Sequence, residues 1–489
     1  MADTSYMKLI TWEQLKELIF RNYADADISD LTRAYQFAAK AHKGVKRKSG
    51  EDYIYHCIAT VYYLAELKVD MPTLIAGMLH DVPEDTSVTI DEIKKDFGAE
   101  VASLVDGVTK LSPLKYRGIT RYAENLRKLF VAMSRDLRVI IIKLANNLHN
   151  VQTLHAQRPD KQLRIAKETM EIYAPLANRL GMFELKSRLE DEAFPYLYPE
   201  EYKKVVALAE DRLRNETKYI GKVKYSVERE LIKNQITYLS IEGRIKHMYS
   251  LYRKLQTHGW DINKIYDLIA LRVVVTSIPD CYLVLGIVHG KWTPLKGRIK
   301  DYIAQPKPNG YQSLHTSVFT DFGKVVEFQI RDVAMHELAE YGIAAYTKYK
   351  DVPQESNKSL KWIQELIGWQ KKIKDDMEYL KNIKNDIFQN RIFVFTPQGD
   401  VLDLPDNATP IDFAYHIHSD LGSHATGARI NDHMAGLDTV LKSGDVVEII
   451  KDKNRKGPAV EWLRIATTGM AQDKIRGQLK KTKGKSFES

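Results

Sequence analysis

The feature that most constrains the fold is a change of hydrophobic period partway along the 489-residue chain. From Thr11 to about Glu192 apolar residues recur at spacings of three and four, as in Leu31, Ala34, Tyr35 and Ala38, with few alternating β-branched stretches. A stripe of that period is buried best against other helices, so an all-helical domain is expected here. After a long charged helix from Glu200 to about Lys233, short β-rich runs appear among helices: DLIALRVVV from Asp267, KW at Lys291 and KVVEFQI from Lys324. These predict a separate α+β domain. In Val325–Ile330 the alternation puts Glu327 and Gln329 on one face and Val326, Phe328 and Ile330 on the other, so the acid faces away from the core.

Polar residues from Gln354 to Lys358 precede an amphipathic stretch, Leu360 to Ile387, read as a helical connector. Arg391 then opens two short strands about a glycine-containing turn, Thr409-PIDFAYHIH starts a helix with Pro in its first turn, and Val446-VEIIK supplies a last strand. The expected divisions are a helical domain over 1–195, an α+β domain over 196–350, the connector over 351–390, a small sheet-plus-helix domain over 391–452 and a basic helical tail over 453–489. A net charge of +9 is a mild excess. Basic runs such as Lys43–Lys48 are either solvated faces or phosphate contacts. Cys57 and Cys281 form no paired framework, which suits a reducing compartment. The N-terminus has no signal-like start, and no run of about 18 apolar residues occurs, so a cytosolic protein without membrane contact is expected.

Four constellations carry chemistry. A helix from Thr73 through Asp81 is predicted to stop at Pro83, with the next starting at a Thr89–Glu92 capping box, so His80 and Asp81 sit at a helix end. His56, the adjacent His80-Asp81, Glu84-Asp85 and the later Asn146-Asn147-Leu-His-Asn150 string resemble the HD phosphohydrolase pattern. Imidazole and carboxylate without thiolate suit Mn²⁺, Fe²⁺ or Mg²⁺ better than structural zinc, and such an ion activates water and neutralises phosphate. Second, Lys246, Ser250 and Lys254 recur every four residues on one predicted helix face, with Arg244 at the entrance. This is either an exposed basic helix or a triphosphate cradle.

Third, the run from Gly297 to His315 is dense in Gly, Pro and polar residues and reads as a binding loop. Tyr311 offers a flat face for a base, Lys307 a charge for phosphate, and Asn309 and His315 hydrogen bonds. Fourth, Asp267 at the start of one strand and Glu327 on another supply the two carboxylates of a Mg²⁺-dependent phosphoryl transfer, which hold metal or deprotonate the attacking hydroxyl.

Together the strings AHKGVKRKSGEDYIYH, MLHDVPEDT, VDGVTKL, IKLANNLHN, ETMEIYAPLANRLG, GRIKHMYSLYRK, YDLIALRV, GRIKDYIAQPKPNGYQSLHT, EFQIR and AEYGIAA resemble the RelA/SpoT family of guanosine tetra- and pentaphosphate synthetase/hydrolases. The resemblance implies an all-α HD-type (p)ppGpp hydrolase domain, an α+β nucleotidyltransferase-like synthetase domain and a small β-grasp TGS domain. The synthetase would transfer pyrophosphate from ATP to the 3′-oxygen of GDP or GTP in the stringent response. Arg244 and Arg272 would stack on adenine. Lys246, Ser250 and Lys254 would hold the ATP phosphates, Asp267 and Glu327 would serve Mg²⁺ and the 3′-hydroxyl, Tyr311 would stack on guanine, and Lys307, Asn309, His315 and Gln329 would support the nucleotides. Arg298-Ile-Lys-Asp301 is similar to the basic RxKD variant of bifunctional members. In the hydrolase, His56, His80, Asp81 and the residue at 146 would bind Mn²⁺, Glu84-Asp85 would activate water, and Arg47 and Asn150 would contact (p)ppGpp.

The chain departs from the family pattern where Ala-Asp-Arg-Leu-His-Asn becomes Ala145-Asn-Asn-Leu-His-Asn150. Asn146 replaces a carboxylate ligand with a neutral amide and should weaken divalent-ion binding. Asn147 replaces an arginine, and Pro83 stands where valine is usual. Synthesis is therefore expected to survive while hydrolysis is reduced. Intact hydrolysis, with substrate completing the coordination sphere, and a non-catalytic nucleotide- or tRNA-sensing protein are the alternatives. In long members the TGS domain contacts tRNA on the ribosome. This chain stops soon after Trp462-LRIATTGM, as a trimmed or naturally short form, so weak tRNA contact through TGS and the basic tail is expected and strong ribosomal activation is not.

Overall fold

The computed structural model describes residues 9–23, 26–109, 127–128, 130–133, 135–307, 309–321, 323–346, 391–452, 454–455 and 457–485. The expected connector at 360–387 lies outside them. Described residues up to 346 fall in one compact unit and those from 391 in another.

The first unit begins with α1 (Trp12–Asn22), α2 (Ser29–Ala41), α3 (Ile54–Glu66), α4 (Met71–Leu79), α5 (Val82–Asp85), α6 (Ile90–Thr109) and α7 (Arg138–Gln152). It continues through α8 (Pro159–Glu168), α9 (Ala174–Arg179), α10 (Phe183–Leu197) and α11 (Pro199–Lys233). Local sequence sets the helix starts. Thr11 and Gln14 form a reciprocal capping box on α1, and the Asp70 side chain accepts from the Thr73 N–H at the start of α4. Helices α3, α4 and α7 are buried over most of their surface and pack on one another at the centre of this domain.

The helix expected to run through Asp81 is α4, which ends two residues earlier, and a further short helix follows where Pro83 was expected only to stop the helix. α4 ends at Leu79, His80 and Asp81 form the junction, and Pro83 sits in the first turn of α5, where a missing N–H removes no helical bond. The Thr89–Glu92 box is formed as expected, with the Thr89 N–H donating to Glu92 Oε2 at 2.7 Å and the Glu92 N–H to Thr89 Oγ1 at 3.3 Å. α6 then kinks at Gly98, whose φ of 89° is a conformation that glycine adopts without strain.

The α+β part adds β1 (Tyr238–Ile245), α12 (Met248–Thr257), β2 (Ile269–Val275), α13 (Ile278–Lys291), β3 (Thr293–Pro294), β4 (Lys300–Asp301), β5 (Leu314–Phe319), β6 (Val325–Asp332) and α14 (Val333–Tyr341). The sheet order is β1-β2-β6-β5-β3, with β4 on β5. β2 and β6 are parallel and the other pairs antiparallel. Ile241, Leu271, Val273, Phe328 and Ile330 share one core with Val223, Val227 and Leu231 of α11 and Cys281, Val284 and Val288 of α13. The alternation expected for 325–330 is therefore realised: Val326, Phe328 and Ile330 are buried, while Glu327 and Gln329 lie between core and solvent. Two placements differ from expectation. Lys246 lies in the turn before α12, so only Ser250 and Lys254 are helical, and Asp267 precedes β2 by two residues.

The second unit contains β7 (Arg391–Phe395), β8 (Val401–Pro405), α15 (Pro410–Ile417), α16 (Ser419–Ser423), β9 (Ala425–Ile430), β10 (His433–Ala435), β11 (Val447–Lys451), α17 (Trp462–Ile465) and α18 (Gly469–Lys485). The β7–β8 hairpin joins the β10-β9-β11 sheet through a parallel bridge, Phe395 to Val446. Asp412 is wholly buried and accepts from the backbone N–H and hydroxyl of both Thr467 and Thr468, which ties the segment before α18 to α15.

Two candidate active sites in the first unit

The first site forms where α3, the α4–α5 junction and α7 meet. His80 Nδ1 lies 2.8 Å from the Gly77 carbonyl oxygen. A carbonyl only accepts, so Nδ1 carries the proton and Nε2 presents a lone pair. His80 Nε2 is buried without a hydrogen-bond partner, 3.1 Å from Asp81 Oδ2. On the other side, His56 Nε2 lies 3.2 Å from the same oxygen. His56 Nδ1 is 2.8 Å from His149 Nδ1, which Arg47 Nη1 also approaches, at 3.4 Å. With donors converging on it, His149 Nδ1 is assigned as the acceptor, which leaves His56 Nε2 unprotonated as well.

Burial pushes the His56 imidazole down to about 3 and that of His149 to about 2, so both are neutral bases. Burial also acts on His80, but Asp81 outweighs it and raises the ring. A metal would take that proton's place. The donor atoms of His56, His80 and Asp81 lie within 4.8 Å of one another. Three electron-pair donors facing one buried point, one of them an orphaned nitrogen, fit a divalent cation.

Asn146, 4% exposed on α7, stands one turn before Asn150. Its Oδ1 accepts from Asn150 Nδ2 at 2.5 Å, and Asn150 Oδ1 accepts from Arg47 Nη2 at 2.9 Å. The expected nucleotide contacts, Arg47 and Asn150, are thus joined to the expected fourth ligand. Asn147 points elsewhere and donates to Thr169 at 2.9 Å. Glu84 and Asp85 are exposed on α5. Sequence reasoning missed three participants. Tyr53 donates to Asp81 Oδ2 at 2.8 Å, His149 orients His56, and His42 stacks on Tyr53 with both ring nitrogens buried and unpartnered. For Tyr53 and His42 the signal was the density of histidine and tyrosine between Ala41 and His56, and for His149 its place inside the Asn146–Asn150 string.

The second site covers the polar face of the larger sheet. The parallel register sets Glu327 beside Ala270 and Gln329 beside Arg272, while β5 sets His315 opposite Gln329. Lys246 Nζ donates to Asp267 Oδ2 at 2.7 Å, and Lys254 Nζ donates to the same oxygen. Burial works against the Asp267 charge, yet the two lysines hold its carboxyl down at about 2. Glu327 is likewise held low despite burial, chiefly by His315, whose Nδ1 lies 3.1 Å from Oε1. Gln329 Nε2 donates to that oxygen at 3.2 Å. Asp267 is near enough to oppose the Glu327 charge, so the two carboxylates belong to one polar face.

Tyr311 closes one end. Its hydroxyl is 2.8 Å from His315 Nε2, and Lys307 Nζ lies 4.9 Å from its ring and 4.5 Å from that of Tyr302. Asn309 Oδ1 accepts the Tyr311 N–H at 3.4 Å. Phe183, from α10, meets Tyr311 edge to face at 5.4 Å. Arg272 is 8% exposed and ion-paired to Glu340 at 2.8 Å. Arg244 lies beyond it on β1, opposite Ala270, and is half-buried. The structure thus joins Lys246, Lys254 and Asp267, and separately joins Lys307, Asn309, Tyr311, His315, Glu327 and Gln329. Ser250 shares α12 with Lys254. Arg331, 1% exposed and 3.4 Å from the Tyr311 hydroxyl, was missed because it falls one residue beyond the Val325–Ile330 run, although the alternation continues to it.

Residues 34–183 match the HD domain, 243–354 the region found in RelA/SpoT proteins, and 392–451 the TGS domain. A GTP pyrophosphokinase of Streptomyces coelicolor is 45% identical over 474 residues, covering 93% of this chain and 56% of that protein. The guanosine-3′,5′-bis(diphosphate) 3′-pyrophosphohydrolase of Aquifex aeolicus is 46% identical over 479 residues, covering 98% and 68%. The bifunctional (p)ppGpp synthase/hydrolase SpoT of Escherichia coli K12 is 42% identical over 477 residues, covering 96% and 68%. The chain spans between 56% and 68% of the length of these relatives. Among the described residues no helix is long and apolar enough to cross a membrane. With three domains in order and identity of this level along nearly its whole length, the chain belongs to the RelA/SpoT family.

Proposed function

We propose that the α+β domain is a GTP/GDP pyrophosphokinase that moves the β,γ-pyrophosphate of ATP onto the 3′-oxygen of GDP or GTP, making (p)ppGpp in the cytosol. The observation that carries this reading is the pair of lysines on one oxygen of Asp267, set across the sheet face from a Glu327 that His315 keeps ionised. Two lysines sharing one carboxylate are poised to exchange it for donor phosphates. Asp267 and Glu327 would hold Mg²⁺, which neutralises charge developing on the transferred group. Tyr311 presents the face on which guanine stacks, and Lys307 beside it meets the acceptor's phosphates. Glu327, ionised near the acceptor, orients the 3′-hydroxyl and takes its proton. Arg244 supplies adenine stacking, joined by Arg272 if the donor draws it off Glu340.

The helical domain is read as a (p)ppGpp 3′-pyrophosphohydrolase with Mn²⁺ held by His56, His80, Asp81 and the Asn146 amide, and with hydrolysis lowered by that amide. The TGS domain and basic tail are assigned weak tRNA contact. Incubation with ATP and GDP should release AMP and form a guanine nucleotide bearing a 3′-diphosphate, and Glu327→Ala should abolish both. AMP release that survives Glu327→Ala would refute this assignment of the site.

A further inference from the structure

The second candidate site is held from outside its own domain. His247 directly follows Lys246 in the turn between β1 and α12, and its ring faces two carboxylates of α10. Nδ1 lies 2.9 Å from Asp191 Oδ2, and Nε2 lies 3.4 Å from Glu184 Oε2. Ionised carboxylates only accept, so both nitrogens donate and the ring is an imidazolium. Burial opposes this charge, yet the bonds to Asp191 and Glu184 raise the ring to about 9.

The second oxygen of Asp191 accepts the Tyr249 backbone N–H at 2.9 Å. Helix α12 receives no side-chain cap from its own N-cap residue, His247. A carboxylate from the helical domain therefore satisfies a first-turn N–H group and meets the positive end of the helix dipole. The supported elements are the ones that carry Lys246 and Lys254, which converge on Asp267. The imidazolium also neutralises two acidic groups that would otherwise repel a polyphosphate arriving at those lysines.

We propose that Asp191 and His247, assisted by Glu184, are positioning residues for the pyrophosphate donor: they fix the Lys246 turn and the first turn of α12 so that the lysines meet the donor's phosphates together. This rests on reading residues 246–254 as the triphosphate cradle. A clamp that merely glues two domains would affect donor and acceptor alike, whereas a positioning clamp acts on the donor.

The test measures AMP release by the full chain with ATP and GDP varied separately, and binding of a non-hydrolysable ATP analogue by calorimetry. His247→Gln and Asp191→Ala should raise the ATP KM and weaken analogue binding about tenfold, the scale of a lost helix cap. The GDP KM should stay within about twofold, because the bonds of His247 and Asp191 go to each other, to Glu184 and to the first turn of α12, while Tyr311 is held by His315 and, from α10, by Phe183, which these substitutions leave in place. Asp191→Asn, whose amide oxygen still accepts from Tyr249, should recover most of the affinity lost in Asp191→Ala. Parallel shifts for ATP and GDP, unchanged analogue binding in folded variants, or an Asp191→Asn no better than Asp191→Ala would each overturn the proposal. A wild type that releases no AMP yet binds the analogue in a His247-dependent way would sink the transferase reading and leave the clamp standing.

Discussion

Restoring a carboxylate at position 146 is the sharpest perturbation of the first site. Asn146→Asp adds one negative charge and little else: the side chains are nearly isosteric, and aspartate still accepts from Asn150 Nδ2, so the chain through Asn150 to Arg47 stays in place. Taking about 4 Å between charges and an effective dielectric of about 20, one unit pair is worth about 4 kcal/mol, and twice that against a divalent ion. The hydration that the ion gives up when it takes the buried carboxylate as a ligand offsets several kcal/mol of this. The remainder, about 2–4 kcal/mol, corresponds to a gain of roughly 30- to 1000-fold in Mn²⁺ affinity.

Loss of the free Mn²⁺ signal in electron paramagnetic resonance titrations reads that affinity, on a Glu327→Ala background that removes a carboxylate of the second site. Pyrophosphate release from (p)ppGpp reads the activity, which should rise with metal occupancy. His80→Ala is the control, since it removes the orphaned Nε2. Should the parent chain hydrolyse (p)ppGpp as fast as it makes it, with Asn146→Asp changing neither Mn²⁺ affinity nor turnover, the charge argument is wrong and the amide is a sufficient ligand.

Three further outcomes follow from the geometry. Tyr311→Ala should raise the KM for GDP by about tenfold or more, the value of one base–aromatic stack, and leave the ATP KM largely unchanged in steady-state AMP release. Burial, with repulsion from Lys300, pushes Lys307 down to about 8. Its charge is present below that pH and lost as pH rises through it, so acceptor KM should climb above pH 8, and Lys307→Arg should flatten the profile. At Gly342, where φ is +55°, a Cβ would sit 2.4 Å from the Leu180 carbonyl oxygen. Gly342→Ala should therefore cost at least about 2 kcal/mol and lower the first unit's melting temperature by several degrees in calorimetry; an unchanged melt would show that the two segments separate at little cost.

What could be read from the sequence divides along the range of the forces involved. Helical periodicity and the Val325–Ile330 alternation are local, because each stripe states which face must be buried. They correctly anticipated the helical domain and turned Glu327 and Gln329 away from the core. Strand β1 escaped notice because it lies at the end of the sheet order, largely unburied, and carries no alternation of hydrophobicity. Strand β5 was hidden because it directly follows a run rich in Gly and Pro, and its register is visible only in the pairing with β6. Lys246 illustrates the same limit. A four-residue spacing implied one helix face, but α12 starts only at Met248, after its N-cap His247, and leaves Lys246 in the turn.

The approach of Lys246 to Lys254, which the spacing assigned to one helix face, is therefore achieved by other means: a turn held through His247 and a helix held through Tyr249, both by carboxylates of α10. Such bonds span more than fifty residues of sequence, and no window of periodicity contains them. The same holds at the first site, where Arg47 and Asn150 are 103 positions apart and His56 is oriented by His149 from 93 away. Residue type indicated that histidines and carboxylates would meet. Which nitrogen keeps its lone pair depends on the Gly77 carbonyl and on Arg47, neither of them a metal ligand. The chemistry of both sites is thus set by partners that local patterning does not reveal, and substitutions at those partners should alter function without touching any residue that the motifs name.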